Sequence, residues 1–240
     1  MGMWRSAGHS TVGPRKSCIH GRNPGTPVRA GFIYTFPMQL TQPAAALDAL
    51  VDSLRFDPFY AAISTEFDNE GARRAALARY FDYSMGEGHR NGRLVIWPQG
   101  FCGAAVWRLP LDEASADAES RAKATFLTDA IGARGAEIYH RLVGYMTPRA
   151  EAVVARSAWY LSIVGVAPAA QGQGIGARLL EITLAEADAT GVPCYLETFD
   201  SRNPRFYQRL GFAAVGTHVE PITRSAYTIM SRLPKARVPP

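Results

Sequence analysis

A chain of 240 residues that is 47% hydrophobic and 20% charged has the composition of a globular protein and can bury the core of one domain. Its formal net charge of +5 comes entirely from residues 1–37, because residues 38–240 contain 21 basic and 21 acidic side chains. This balance argues against a nucleic-acid partner for the folded part, and no apolar run is long enough to cross a membrane. The three cysteines, Cys18, Cys102 and Cys194, are scattered without metal-ligand spacing, which favours a cytoplasmic protein without a metal site.

Residues 1–37 differ in composition from the rest of the chain. They are rich in Gly, Pro, Ser and Arg, contain no acidic residue, and show neither helical nor strand periodicity. We therefore predict a disordered basic leader over 1–37 and a single domain over 38–240. The leader lacks the apolar segment of a secretory signal, although it shares its Arg-rich composition with organelle transit peptides. Met38 is an alternative start, so the leader is interpreted either as a real tail or as a non-native extension.

The first half of the domain is predicted to contain helices around a β-hairpin. Apolar residues at helical spacing predict one helix over 44–56, closed by Asp57–Pro58, and a second over 70–83, closed by Gly86–Gly88. Strands are predicted over 93–97 and 104–109, with a turn at 99–103 that joins them into a hairpin.

The second half predicts a long helical segment and then alternating strands and helices. The helical segment covers 119–154, with breaks near Gly132–Gly135 and at Pro148. The elements that follow are predicted as strands over 159–166, 194–197, 212–215 and 227–230 and helices over 175–189 and 203–210, the last opened by an Asn-Pro cap signal. This order predicts one α/β domain with a mixed sheet.

The loop between the strand 159–166 and the helix 175–189 is the most informative segment. Gly172, Gly174 and Gly176 remove side chains where the backbone must turn and approach a ligand. The N–H groups that begin the next helix, together with its dipole, make a site suited to phosphate. No lysine follows in the position that a P-loop requires. Taken alone, such a glycine-rich turn is also a generic feature of α/β folds.

A dinucleotide site is the competing interpretation of this loop. Gly172-x-Gly174-x-x-Ala177 fits the fingerprint of NAD-binding folds. That fold needs several further strand–helix units after the loop, whereas only 64 residues follow Gly176. They supply one short helix and three strands, so we reject an NAD site.

Two motifs together resemble the GNAT superfamily of acetyltransferases. Gln171-x-x-Gly174-x-Gly176 is similar to the acetyl-CoA loop of that superfamily, and 203–212 (NPRFYQRLGF) is similar to its second signature. Within the superfamily, the C-terminal part looks most like the puromycin N-acetyltransferases, in WYL at 159–161, GVP at 191–193 and LET at 196–198. The resemblance is good over 155–235, weaker over 44–154 and absent from 1–37.

The resemblance implies a GNAT fold with acetyl-CoA as co-substrate. Strands 159–166 and 194–197 would lie parallel and separate at their C-terminal ends, where the pantetheine arm would bond to the backbone near Val164 and Val166. Asn203 would contact the same arm. The loop residues implied to hold the pyrophosphate are Gln171, Gly172, Gln173, Gly174, Ile175, Gly176 and Ala177. A helical insertion over 118–157, before the cofactor-binding strand, would shape the acceptor pocket.

Tyr207 and Glu197 are the candidate catalytic residues. The resemblance implies that Tyr207 faces the thioester sulfur and donates a proton to the leaving thiolate, whereas its spacing alone favours a core tyrosine. Glu197 ends an apolar strand, so that its carboxylate is either a partly desolvated general base or a structural acceptor of hydrogen bonds. The backbone N–H near Val166 is a candidate to polarise the thioester carbonyl.

The expected activity is acetyl transfer from acetyl-CoA to a primary amine of a small molecule, with an antibiotic or another xenobiotic as the first candidates. A protein N-terminus or lysine is the alternative acceptor, and a non-catalytic acyl-CoA sensor is the alternative function. No nucleic acid or membrane is expected as a partner, while a homodimer stays open. The aromatic residues that could line an acceptor pocket or only fill the core are Phe59, Tyr60, Tyr80, Tyr83 and Trp107.

Overall fold

The computed structural model describes residues 43–235. Within this range the chain forms six helices and six strands, besides a short 3-10 helix at Pro168–Ala170. The helices are α1 Ala44–Leu54, α2 Pro58–Ile63, α3 Glu70–Asn91, α4 Glu113–Glu151, α5 Ile175–Thr190 and α6 Asn203–Arg209. The strands are β1 Gly92–Ile96, β2 Gly103–Arg108, β3 Trp159–Val166, β4 Cys194–Thr198, β5 Ala213–Val219 and β6 Ala226–Arg232. The predicted leader 1–37 lies outside the described residues.

The strands form one mixed sheet in the order β1-β2-β3-β4-β6-β5, which confirms the predicted fold class. The predicted hairpin is present as β1 and β2, and β3 and β4 form the parallel pair. All other neighbours in the sheet are antiparallel. No helix between residues 43 and 235 combines the length and the apolar character that a membrane span requires.

Each face of the sheet covers its own hydrophobic core. On one face, α1, α3 and the neighbouring helices α2 and α4 enclose a core that includes Leu50, Phe81 and Leu142. On the other face, α5 and α6 pack over a second core that includes Trp107 and Leu180. Alternation of side chains along the strands sends neighbouring residues to opposite cores, because successive side chains in a strand point to opposite faces.

Helix α3 is longer than predicted. The glycines expected to end it, Gly86 and Gly88, lie inside a helix that continues to Asn91. A Cβ on Gly88 would meet a methyl group of Val106 at 2.7 Å and the Arg93 carbonyl oxygen at 3.2 Å. The missing side chain therefore permits close packing of α3 against the hairpin, and does not mark the end of the helix.

Helix α2 was not predicted at all. Asp57–Pro58 closes the first helix as expected, but it also opens α2, since the Asp57 carboxylate accepts a hydrogen bond from the Phe59 N–H at 2.9 Å. Proline in the first turn and an aspartate cap before it are a helix-start signal.

The long helix α4 has the predicted break at Gly132, where φ is +76°. The Glu66 carboxylate accepts a hydrogen bond from the Arg134 N–H at 2.9 Å and so caps the segment after the break. The predicted break at Pro148 is wrong, because the helix continues to Glu151. Pro148 lies in the last turn and has no N–H for the Gly144 carbonyl, while the Arg149 side chain donates to the Tyr145 carbonyl at 2.7 Å.

Candidate active site

The two parallel strands separate, as the sequence predicts. β3 and β4 pair only over Trp159–Leu161 on β3, although β3 runs on to Val166 and β4 to Thr198. Beyond Leu161 the backbone of β3 therefore faces a gap, while its other edge remains paired with β2 as far as Val166.

A bulge in β3 determines which backbone groups face this gap. Leu161 pairs with Trp107 and Ile163 with Val106, so Ser162 is the extra residue, and its hydroxyl donates to the Val106 carbonyl at 3.1 Å. Past the bulge, the Ala167 N–H donates to the Cys102 carbonyl on the β2 side at 2.8 Å.

Because backbone groups alternate along a strand, the bond made by Ala167 sets the direction of the residues before it. The N–H and C=O groups of Val164 and Val166 face away from β2, into the gap. These are the two residues predicted to bond a pantetheine arm. The Val166 carbonyl already accepts a hydrogen bond from the Gln171 side-chain amide at 3.0 Å, so its N–H is the group that remains available.

The loop after β3 leads into helix α5, whose first N–H groups have no side-chain cap. Gly172 and Gly174 have φ values of +76° and +78°, a backbone conformation that side chains rarely adopt. A Cβ on either glycine would have no heavy atom within 4 Å, so the space around both is open. Gly174 takes the N-cap position of α5, and no side chain bonds to the first N–H groups of that helix. This arrangement fits the phosphates of a coenzyme.

The remaining loop residues contribute in different ways. Gln171 and Gln173 are exposed, and Ala177 is half-buried. The Ile175 side chain is buried in the core beneath α5, so only its backbone can reach a ligand. Gly176 has ordinary helical φ, and a Cβ there would lie 3.5 Å from the Phe206 ring.

A cavity of about 710 Å³ opens on the α1–α4 face of the gap. Val164, Glu197, Asn203 and Tyr207 line it, so the structure brings these predicted residues together. Val166 and the loop 171–177 lie outside its lining. Of the aromatic residues considered from the sequence, Phe59, Tyr60 and Tyr80 line the cavity, whereas Trp107 is fully buried in the opposite core.

Glu197 lies on β4, and its side chain lines the cavity. Of its neighbours in the strand, Leu196 packs in the core beneath α5, and the Thr198 hydroxyl contacts Asn203 at the start of α6. Its Oε2 accepts a hydrogen bond from the Tyr160 hydroxyl at 3.2 Å, and its Oε1 is buried with no partner among the described residues. Burial raises the pKa of Glu197 to about 7, although the Tyr160 hydrogen bond opposes the rise. A carboxylate with this pKa can take up and release a proton near neutral pH.

Tyr207 is buried on α6, with its ring edge-on to Phe206 and Phe212. Burial, followed by the nearby charges of Asp57 and Asp200, raises its pKa, so the hydroxyl keeps its proton at neutral pH. Tyr207 therefore has both properties that the sequence left open, a core position and access to the cavity.

Asn203 is the first residue of α6 and does not cap it, contrary to the expectation from its Asn-Pro pair. Arg202 takes the N-cap position. The Asn203 side-chain amide instead donates to the Thr198 hydroxyl at 3.1 Å, which joins the start of α6 to the end of β4. Its predicted contact with the coenzyme arm stays a prediction.

Sequence reasoning missed three charged or polar residues of the cavity. Asp57 lines it beside α2, and burial is the main cause that raises the pKa of this carboxyl to about 6. Tyr160 orients Glu197, and Arg108 projects from the end of β2. The Asp-Pro-Phe start signal of α2 and the strand alternation of β2 were available signals for Asp57 and Arg108.

Comparisons with known proteins find acetyltransferases. The family model described as an acetyltransferase (GNAT) domain matches residues 133–214, from the second part of α4 to β5. This stretch contains β3, the glycine-rich loop, α5, β4 and α6, and so most elements around the gap.

Solved structures share the architecture at low sequence identity. One is described as a histone acetyltransferase HPA2 and related acetyltransferase from Corynebacterium glutamicum, with 21% identity, 85% of this chain and 97% of that chain covered, and a TM-score of 0.57. Another is arylalkylamine N-acetyltransferase 2 from Aedes aegypti, with 14% identity, coverage of 82% and 98%, and a TM-score of 0.52. The chain therefore shares the fold of these acetyltransferase structures, and its residues 133–214 match the model of a GNAT acetyltransferase domain.

Proposed function

We propose that this protein transfers the acetyl group of acetyl-CoA to a primary amine of a small molecule by direct attack of the amine. The observation that carries the proposal is the gap between β3 and β4. The glycine-rich loop and the uncapped N-terminus of α5 follow β3, and Glu197 and Tyr207 line the adjoining cavity. The match to a GNAT domain over 133–214 supports the acyl-transfer chemistry.

The residues that would hold acetyl-CoA are those with open, unpaired backbone groups. The first N–H groups of α5, approached past Gly172 and Gly174, suit the pyrophosphate, since a helix N-terminus favours an anion. The backbone groups of Val164 and Val166 that face the gap suit the amides of the pantetheine arm. When bound, acetyl-CoA supplies the activated acetyl thioester.

The side chains of the cavity would then manage the protons. An amine in water is mostly protonated at neutral pH and must lose a proton before it can attack a carbonyl carbon. Glu197, with a pKa of about 7, can accept that proton directly or through water. The Tyr207 hydroxyl keeps its proton and can donate it to the leaving sulfur, and the Val166 N–H can donate to the carbonyl oxygen.

The shape of the cavity favours a small acceptor over a protein. Its 710 Å³ is in the range of sites for small molecules, and aromatic rings from α2, α3, α4 and β3 line it. The similarity of the C-terminal motifs to puromycin N-acetyltransferases supports a xenobiotic amine, and we include puromycin among the acceptors to be tested.

Binding and turnover test the proposal in two steps. Acetyl-CoA at a hundredfold excess over its dissociation constant should raise the free energy of unfolding by about 2.7 kcal/mol, and NADH should not. Free thiol released from acetyl-CoA is then measured with small amines and with peptides. Turnover only on peptides would indicate a protein acetyltransferase, and binding without any turnover a sensor. A melting shift with NADH and none with acetyl-CoA would overturn the assignment of the loop.

A further inference from the structure

Arg108 is a cavity residue that the proposed transfer does not use. It is the last residue of β2 and lies on the same face of the strand as Ala104 and Val106, whose side chains pack in the α1–α4 core. Its side chain lines the cavity and is exposed there. Among residues 43–235 no carboxylate lies within 4.0 Å of the guanidinium, and no group accepts a hydrogen bond from it.

The carboxylate that interacts with Arg108 already forms a salt bridge with another residue. Glu87 interacts electrostatically with Arg108, but its Oε2 forms a buried salt bridge with the Lys123 ammonium at 2.6 Å. Two cations thus share one carboxylate. Glu119, which also lines this end, lies 3.7 Å from Arg90 and accepts a hydrogen bond from the Asn91 amide at 2.5 Å. Among residues 43–235, Arg108 therefore has no carboxylate of its own, because Glu87 and Glu119 are both bound to other side chains.

The opposite end has the reverse character. Glu197 has only the Tyr160 hydroxyl as a partner for its carboxylate in the described part of the chain, and Asp57 has only backbone donors. No cation pairs with either carboxylate among the described residues. Glu197 and Asp57 thus line the cavity without a cation, and the Arg108 guanidinium lines it without a bound carboxylate, among the described residues.

Aromatic rings fill the distance between the two ends. Tyr160 is the Cα partner of Arg108 across β2 and β3, and its ring stacks on Tyr195 at 4.6 Å between centroids. Arg108 also interacts electrostatically with Tyr80 and Tyr139. From strand spacing and rise, the Cα atoms of Arg108 and Glu197 lie about 12 Å apart, two strands and two residues removed.

We infer that the acceptor carries a carboxylate as well as the amine, separated by an apolar or aromatic spacer, and that Arg108 binds this carboxylate. The inference rests on the proposed acetyl transfer and assigns its substrate class. A guanidinium presents a planar fork that matches a carboxylate in a bidentate contact. A single guanidinium balances a monoanion, whereas a phosphate monoester brings a charge of about −1.5 to −2. The amine of such an acceptor would point to Glu197.

Matched pairs of amines test this inference. 4-(Aminomethyl)benzoate is compared with benzylamine, and 6-aminohexanoate with pentylamine, because the members of each pair differ in the carboxylate alone. We expect the wild-type protein to favour the carboxylate-bearing member in kcat/KM by about ten- to a hundredfold, as for a hydrogen-bonded charge pair. In Arg108→Gln the ratio should fall close to one, and Arg108→Lys should recover part of it.

Arg156→Gln is the matched control, since Arg156 is the other arginine among the described residues that line the cavity. This variant should keep the wild-type ratio. No preference for the carboxylate in any pair that turns over, or an equal fall of the ratio in Arg156→Gln, would overturn the inference. The proposed function fails separately, by absence of acetyl-CoA binding or of turnover on every amine.

Discussion

Glu197 and Tyr160 illustrate how the environment of one carboxyl group sets its chemistry. The carboxylate loses water on β4 and regains a single hydrogen bond, from the half-buried Tyr160. Desolvation of the charged form outweighs that bond, which is why the pKa rises from 4.5 to about 7. The same imbalance has a cost in stability, because the folded protein must hold a desolvated charge above pH 7.

A pair of variants separates the two catalytic roles. The wild-type kcat/KM should fall as pH drops through about 7, because protonation removes the base. Glu197→Gln should lower the rate and abolish this acidic limb. Tyr207→Phe should lower the rate by about 10²- to 10⁴-fold while keeping the limb, since only the proton donor is lost. Steady-state rates between pH 5 and 9 provide the measurement.

Stability measurements give an independent reading of Glu197. The folded state binds the proton more tightly than the unfolded state, so stability due to this group declines as pH rises from about 4.5 to about 7. Glu197→Gln should remove a decline of about 3 kcal/mol, an upper estimate. An acidic limb that persists near pH 6 in this variant would move the role of base to Asp57, whose pKa is about 6.

At the scale of elements, helix α5 connects the loop to the core. Its two ends are both glycines with positive φ, Gly174 at the N-cap and Gly191 at the C-cap. Neither has a heavy atom within 4 Å of the position that a Cβ would take, so an added methyl group strains the backbone without a steric clash. The two ends differ in what they face, since only the N-terminal end adjoins the gap.

This symmetry allows a controlled test of the loop. Gly174→Ala and Gly191→Ala should each lower the free energy of unfolding by about 1–2 kcal/mol, the cost of a left-handed conformation for a residue with a Cβ. Only Gly174→Ala should weaken acetyl-CoA binding, because it alters the backbone that approaches the phosphates. Calorimetric titration and chemical denaturation measure the two effects. Equal affinities in both variants would contradict a phosphate site at this helix.

The sequence predicted most elements because their patterns are local. The strand 159–166 and the start of α5 at Ile175 match the structure, since alternating apolar residues and glycine punctuation depend on neighbours in the chain. Helix α3 was ended too early because Gly88 is explained by packing against Val106, a contact that no local pattern contains. A glycine has the same appearance in a sequence whether it ends a helix or accommodates a neighbour.

The residues of the candidate site likewise fall into those that local motifs predict and those that only tertiary packing brings together. The loop and the Asn203–Tyr207 segment were predicted as contiguous motifs. The bulge at Ser162, which turns Val164 and Val166 toward the gap, arises from register with β2. Arg108, Asp57 and the Glu87–Lys123 pair come from elements far apart in the chain, and their meeting depends on tertiary packing.

At the scale of the whole molecule, one buried ion pair joins the end of strand β6 to helix α5. Arg232 ends β6 and is 3% exposed, and its guanidinium donates to both oxygens of Asp188 on α5 at 2.8 and 2.7 Å. Its Nε also donates to the Leu210 carbonyl, after α6. The ends of β6, α5 and α6 therefore meet at a single side chain, and the bond from Arg232 lowers the pKa of Asp188.

Replacement of this arginine should destabilise the whole domain. Arg232→Met keeps much of the volume but leaves the Asp188 carboxylate and the Leu210 carbonyl without their donor, so the free energy of unfolding should fall by about 3–5 kcal/mol. Arg202→Met is the matched control, because Arg202 makes the same kind of contact with Asp200 while its own side chain is 89% exposed. An exposed pair contributes little because water screens it, so this variant should unfold close to the wild type.

Urea denaturation at pH 7 measures the free energy of unfolding of both variants. A second series at low pH tests how the contribution of Asp188 changes with pH. The pKa of Asp188 is lowered in the folded protein, so the stability that it contributes is present above its unfolded value and is lost as pH falls through the folded one. The difference between wild type and Arg232→Met should therefore shrink as the solution is acidified toward and below pH 3.8. A similar small loss in both arginine variants at pH 7 would mean that β6 and α5 are held together by their apolar contacts alone.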